Sequence, residues 1–459
     1  MTSGSIGMKL KRGVPLRAGR IGEAVESRFA SSWLTRTLAV LLFVFAVFPY
    51  VNPIPTPFDT QPFALVIGCL LVIHALLSLG VDGFRMPLSI VPFMFVALVA
   101  TLHFLAGTSD VGALRSLAGY ISAVVIALAA YYSFPRVKPA LFFWSVGVWF
   151  AVGLGQLLIS RSFGVFLLAR SSTSDNRGIT GLAVEPSYYA TICIFFLLLN
   201  DVFRARNLYG RKAYVTVLAA VLIQMIFAAS AMGYIMLGIY ALCRVVSERK
   251  FAASIRVIFV VAPLTLATLW VILSVPSLSE GRLGRVLQAV VSDPWGLVSR
   301  DVSVASRLFD LLIFPWGLTG NSGLGFGLNS WNSVGPGLIQ KSSTFVQDVA
   351  FTAGSAQTGE TGGRLMSGWG TAVFELGIFG AAMTVAFVIL VARSYARARP
   401  SERRMVLSVG MTVALIMLFA IPLAFPLFGY SMGVLMLSGE NETAGWDERD
   451  RVARPPSRM

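Results

Sequence analysis

A carboxylate, a proline and three hydroxyl-bearing side chains gather in the stretch Gly181-Leu-Ala-Val-Glu185-Pro186-Ser187-Tyr188-Tyr189-Ala190, at the mouth of an apolar run. Arg177 lies eight residues before the carboxylate, and Arg170 and Arg161 come earlier still. Polar groups kept at a membrane face are costly and mark function by default. Arginine presents a planar fork of donors that matches two phosphate oxygens at once. The chemistry these residue types suggest is recognition of a phosphate-bearing substrate beside a carboxylate. The structural alternative is an ion pair between Glu185 and Arg177, which would also favour the helix N-terminus. Pro186 suits the first turn of a helix under either reading.

Composition defines what must position these groups. Apolar residues make up 56% of the 459 and charged residues 13%, and mean hydropathy is +0.75. A soluble protein carries about 25% charged residues, so this chain uses lipid as solvent over much of its length. Its apolar runs are about 17 to 25 residues long, enough to cross a hydrocarbon core as helices. The roughly ten-residue alternation of a membrane β-barrel is absent. The expected fold is all-α and polytopic, with about twelve membrane helices.

Those spans are expected near residues 34–51, 61–80, 87–106, 114–133, 139–160, 185–203, 213–229, 231–247, 254–274, 368–392 and 405–421. A last piece at 423–438 is interrupted by Pro422 and Pro426 and either spans or re-enters. The net charge of +15 sits in a basic tail before the first span and in runs at 136–138, 204–212, 244–250 and 393–404. With twelve spans all of these fall on one side, the cytoplasmic one, so the charge reads as topology and not as nucleic-acid binding. The chain thus divides into a tail at 1–33, a membrane domain at 34–438 and a polar C-terminal tail at 439–459, both tails cytoplasmic. No cleavable signal is expected at the N-terminus, and residues 21–32 carry a weak amphipathic pattern. Cys69, Cys193 and Cys243 lie in apolar segments and imply neither disulfides nor a metal site. No internal repeat is visible.

Two outer segments exceed a turn, residues 161–184 and 275–367. The second holds six basic residues (Arg282, Arg285, Arg300, Arg307, Lys341 and Arg364) and six acidic ones. Ordinary pairing within the loop, of Arg300 with Asp301 or Arg307 with Asp310, competes with phosphate binding as their role. Neither segment clusters carboxylates or histidines as a divalent ion requires, so no metal and no cofactor is expected.

The run RGITGLAVEPSYYA resembles the opening of a middle span in the polysaccharide polymerases of the O-antigen and exopolysaccharide pathways, which form one superfamily with the O-antigen ligases. Ser306-Arg307-Leu308 followed by Gly323-Leu-Gly325-Phe-Gly327 is similar to the family's pattern of arginine, short helix and glycine turn in a long loop. Phe374-Glu375-Leu376-Gly377-Ile378-Phe379-Gly380 resembles the opening of the span after that loop, and Ser230-Ala-Met-Gly233-Tyr234 resembles a Ser-x-x-Gly turn between apposed helices. The ligases carry a histidine shortly before the Glu-Leu-Gly segment. Here the only histidines are His74 and His103, in early spans, which favours the polymerase over the ligase.

The resemblance implies an enzyme of the bacterial inner membrane. It would transfer a growing glycan from undecaprenyl pyrophosphate to a lipid-linked repeat unit at the periplasmic face, with a chain-length regulator and a flippase as partners. Arg307 and Arg177 are then expected to stabilise the departing pyrophosphate without a metal, with Arg170 and Arg300 in reserve. Glu185 is expected to accept or orient the acceptor proton, supported by Tyr188 and Ser187, with Ser230 in the substrate site. Arg115, at the outer end of the fourth span, either joins the site or snorkels. The rival class is a transporter of lipid-linked oligosaccharides, which would bury charge along a central cavity instead of gathering it in loops.

Overall fold

The structure, a computed structural model, describes residues 32–51, 60–107, 110–168, 178–248, 288, 292–293, 296, 302–354 and 365–440. The described residues are all-helical and carry no β-strand. In chain order α1 is Trp33–Val47, α2 Phe63–Gly83, α3 Val91–Ala106, α4 Val111–Ser133, α5 Pro139–Leu158, α6 Pro186–Ala205, α7 Arg211–Ala228 and α8 Ala231–Ser247. A cluster of shorter helices follows: α9 Val302–Leu312, α10 Trp316–Thr319, α11 Trp331–Gln340 and α12 Thr344–Gly354. The chain then returns to the bundle with α13 Gly368–Leu376, α14 Ile378–Arg397, α15 Arg403–Ile416 and α16 Pro426–Glu440. Seven helical segments among the described residues are long and apolar enough to cross a membrane. The protein is a membrane-embedded helical bundle. The span expected at 254–274, the amphipathic pattern at 21–32 (but for residue 32) and nearly all of both tails lie outside the described residues.

Helix α6 runs through the middle, with 89% of its apolar window buried. An apolar surface on every side is what a helix surrounded by other helices requires. By contrast Leu70, Ile73 and Leu77 on α2 and Leu98 and Leu102 on α3 are exposed on the bundle's outside, where lipid would cover them. Helix α16 lies along α4. Gly429 and Gly433 rest on the backbone of Ala123 and Ala127, so the two helices meet without intervening side chains. Small residues four apart are how membrane helices gain packing where no hydrophobic effect drives them together.

Two expectations are corrected here. Pro426 does not break the last segment; it starts α16, where its missing N–H costs nothing. The span expected at 368–392 is two helices, because Gly377 takes φ 56° and ψ −124°, a conformation that a side chain would strain. The long segment between α8 and α13 is also more than a polar loop. Its helices bury Ala305, Phe309, Ile313, Val349, Ala350 and Ala353 together with Phe374 of α13, so this small core is shared with the bundle.

Candidate functional site

The mouth of α6 is built by a side chain from α5. Gln156, 3% exposed in an apolar helix, accepts the Gly181 N–H at 2.8 Å and donates to the Gly181 carbonyl at 2.8 Å. It donates also to the Phe163 carbonyl at 3.0 Å. Gly181 has φ +58°, and a Cβ there would press on the rings of Tyr189 and Trp149. The turn is therefore fixed, and it delivers Glu185 in extended backbone as the residue before Pro186. The Ser187 hydroxyl lies 3.4 Å from Glu185 Oε2, and the Glu185 side chain is half-buried. Tyr189 turns inward, stacked on Trp149 and donating to Gln224 at 3.2 Å. Tyr188 faces the other way, packs on Tyr50 and directs its hydroxyl at Met366 Sδ, 3.3 Å away.

Met366 is where the second motif arrives. Its backbone N–H donates to Asp310 Oδ2 at 3.1 Å, and Asp310 stands one helical turn after Arg307 on α9. The mouth of α6 and the arginine of the long segment thus meet across Met366. Arg307 is half-buried, and its Nη1 is buried with no hydrogen-bond partner among the described residues. Asp310, one turn on, accepts the Met366 N–H at the start of α13, and the Arg307 charge acts on the same carboxyl. Arg307 therefore keeps donor capacity for something else.

Burial pushes the Asp310 carboxyl up to about 7 from the ordinary 3.8, against the opposing pull of the Arg307 charge and of the Met366 and Ser367 N–H groups. A folded value raised above the unfolded one means the native cluster holds more protons between about pH 4 and 7. Its stability should be greatest at the acid end of that window and fall as pH rises through it. Protease resistance of residues 302–354, followed from pH 4 to 8, should decline in wild type and be flatter in Asp310→Asn. Identical profiles for the two proteins would count against the buried neutral carboxyl.

The remaining sequence-derived positions divide. Ser230 caps α8, its Oγ accepting the Gly233 N–H at 3.3 Å, and Gly233 lets α8 close on Ala190 of α6. The Ser-x-x-Gly turn thus joins the first turns of α6 and α8. Arg115 is half-buried near the start of α4, next to Ser116. Arg170, Arg177 and Arg300 lie outside the described residues, and with them the pairing of Glu185 with Arg177. Arg115, Glu185, Ser187, Tyr188, Ser230 and Arg307 all belong to one end of the bundle. Among the described residues no three His, Cys, Asp or Glu side chains are placed to hold a metal ion. No family model, curated protein or solved structure matches this chain.

Two buried polar residues of this end were not singled out as site residues from the sequence, Gln156 and Glu375. Glu375 is 4% exposed and accepts from the hydroxyls of Ser116 and Tyr120 at 2.7 and 2.9 Å. The available signal was simple. Each is the lone amide or carboxylate in an apolar run, and such residues in membrane segments are retained for a reason.

Proposed function

We propose that this chain is a membrane polysaccharide polymerase that transfers a growing glycan from undecaprenyl pyrophosphate onto a lipid-linked oligosaccharide repeat unit. The observation that carries the reading is the convergence of Arg307, whose buried Nη1 has no hydrogen-bond partner among the described residues, on the Glu-Pro-Ser-Tyr mouth of α6 through Asp310, Met366 and Tyr188. In the reaction the acceptor hydroxyl oxygen bonds to the anomeric carbon while the bond from that carbon to the pyrophosphate oxygen breaks. The electron pair leaves with the pyrophosphate, and the hydroxyl proton passes to Glu185. Arg307, with Arg177 and in reserve Arg170 and Arg300, meets the charge that builds on the leaving oxygen. Tyr188, Ser187, Ser230 and Arg115 line the approach.

The reading places the site at the periplasmic face of the bacterial inner membrane, with about twelve spans, long periplasmic segments at 161–184 and 275–367, and both termini cytoplasmic. Guanidinium groups supply the leaving-group stabilisation, so no divalent ion is required. Purified protein given lipid-linked repeat units in EDTA should build a ladder of longer chains. A ladder abolished by chelation and restored by magnesium or manganese would overturn the arginine account, and no ladder under any condition would overturn the polymerase.

A further inference from the structure

Glu375 is held from two sides. From α4 come the hydroxyls of Ser116 and Tyr120, one helical turn apart, donating at 2.7 Å to Oε1 and 2.9 Å to Oε2. From the turn that precedes α11 comes the Asn329 backbone N–H, at 2.8 Å to Oε1. The main chain is stitched at the same place, with the Phe326 N–H on the Phe374 carbonyl at 3.0 Å and the Gly327 N–H on the Glu375 carbonyl at 2.9 Å. Gly325 and Gly377 both take positive φ there, and each would drive a Cβ into the other's segment. Asn329 reaches on to α4, its Nδ2 lying 3.4 Å from Asp110 Oδ2, while Asp110 Oδ1 caps that helix by accepting the Ala113 N–H. Rings complete the joint, Phe374 against Phe326 and Trp331.

The Glu375 carboxylate therefore touches the bundle and the 302–354 cluster together. At 4% exposure, with three neutral donors already on its two oxygens, it offers a substrate hydroxyl no room. Its helix, α13, begins at the other end with Ser367, beside the Met366 N–H that grips Asp310. One rigid nine-residue helix thus connects the Glu375 joint to the turn of α9 that carries Arg307.

We propose that Glu375 is a positioning residue: it clamps the 302–354 cluster onto α4 and so holds Arg307 at the mouth of α6. The clamp stands on geometry alone; its consequence for glycan transfer rests on the function proposed above. Glutamine at 375 can preserve the clamp. Its carbonyl keeps the Asn329 and Ser116 donors, and its amide donates to Tyr120, whose hydroxyl rotates to accept. Alanine cannot, and it leaves three donors buried without partners.

The test pairs two readouts. Leu328 lies on the clamped turn and packs against the bundle core, so Leu328→Cys reports opening through its reaction with a membrane-impermeant maleimide. In intact membranes Glu375→Ala should raise that rate by about tenfold or more, and Glu375→Gln should leave it within about twofold, as loss or retention of buried hydrogen bonds dictates. In the chain-length assay, without the reporter cysteine, Glu375→Ala should yield short products and Glu375→Gln a near-normal ladder. An unchanged maleimide rate in Glu375→Ala overturns the clamp. Glu375→Gln as inactive as Glu375→Ala, with slow labelling in the glutamine variant, also overturns it, because charge or proton transfer would then be the role. Should Glu375→Ala fail to insert, Tyr120→Phe removes a single donor and must still speed labelling; no change overturns the clamp. If wild type makes no polymer, the proposed function fails while the labelling arm still decides the clamp.

Discussion

Arg307→Lys should slow chain extension almost as severely as Arg307→Ala, each on the order of 10²–10³-fold, the usual cost of losing a donor aimed at developing negative charge. Lysine keeps the charge but concentrates it in one ammonium, whereas two pyrophosphate oxygens call for the planar fork. The structure sharpens the contrast. Arg307 has a buried Nη1 with no partner among the described residues, while Asp310 beside it accepts the Met366 N–H. A guanidinium serving only as a structural brace would be expected to use that nitrogen. The assay is the length distribution of lipid-linked glycan per unit of folded protein in the membrane. A near-normal ladder from Arg307→Lys would remove the bidentate contact from the mechanism, and a near-normal ladder from Arg307→Ala would remove Arg307 altogether.

Glu185→Gln separates the two readings of the carboxylate in the same assay. It preserves size and hydrogen-bonding capacity and loses basicity and charge. A base at 185 predicts accumulation of single repeat units in a normally inserted protein. An ion-pair role predicts lower stability with a normal ladder per folded molecule.

The helical architecture was legible because long apolar runs report helices directly, and seven of these among the described residues are long and apolar enough to cross a membrane. Helices occupy eleven of the twelve expected segments, the other lying outside the described residues. What escaped was the detail that tertiary packing decides. Pro426 reads as a breaker until its position at the start of α16 is seen. The continuous apolar run from 368 to 392 conceals a break that depends on Gly377 meeting Gly325 from a segment some fifty residues away. Within the site, Glu185 and Arg307 could be singled out because each sits in a short, composed motif. Gln156 and Glu375 act on partners distant in sequence, Gly181 and Ser116, so spacing could not reveal them. Buried charge, the mark expected of a transporter, does occur within the bundle. Asp201 of α6 is buried at the far end of that helix, roughly 24 Å along the axis from Glu185 at about 1.5 Å per residue. Both Asp201 and Glu375 are engaged by neighbouring side chains instead of lining an open path, so a structural role accounts for their burial.

Asp201 supplies the second large effect. It pairs with Arg244 of α8 and accepts the Tyr240 hydroxyl at 2.9 Å and the Tyr214 hydroxyl at 3.1 Å, tying α6, α7 and α8 together. Removing one member of a buried pair strands the other charge and costs about 3–5 kcal/mol. Arg244 is 30% exposed at its side chain, and water screens part of the loss, so Arg244→Ala should fall at or below the lower end of that range. Asp201→Asn should cost less. Its amide still accepts from a tyrosine, and the guanidinium left behind can turn toward solvent, which the 1%-exposed aspartate cannot. Thermal unfolding in detergent should therefore rank wild type above Asp201→Asn above Arg244→Ala. The product ladder per folded molecule should stay normal in both, since this cluster lies at the opposite end of α6 from the proposed site. Equal midpoints for all three proteins would show that the pair contributes nothing. A shortened ladder at unchanged stability would give the far end of α6 a part in the reaction itself.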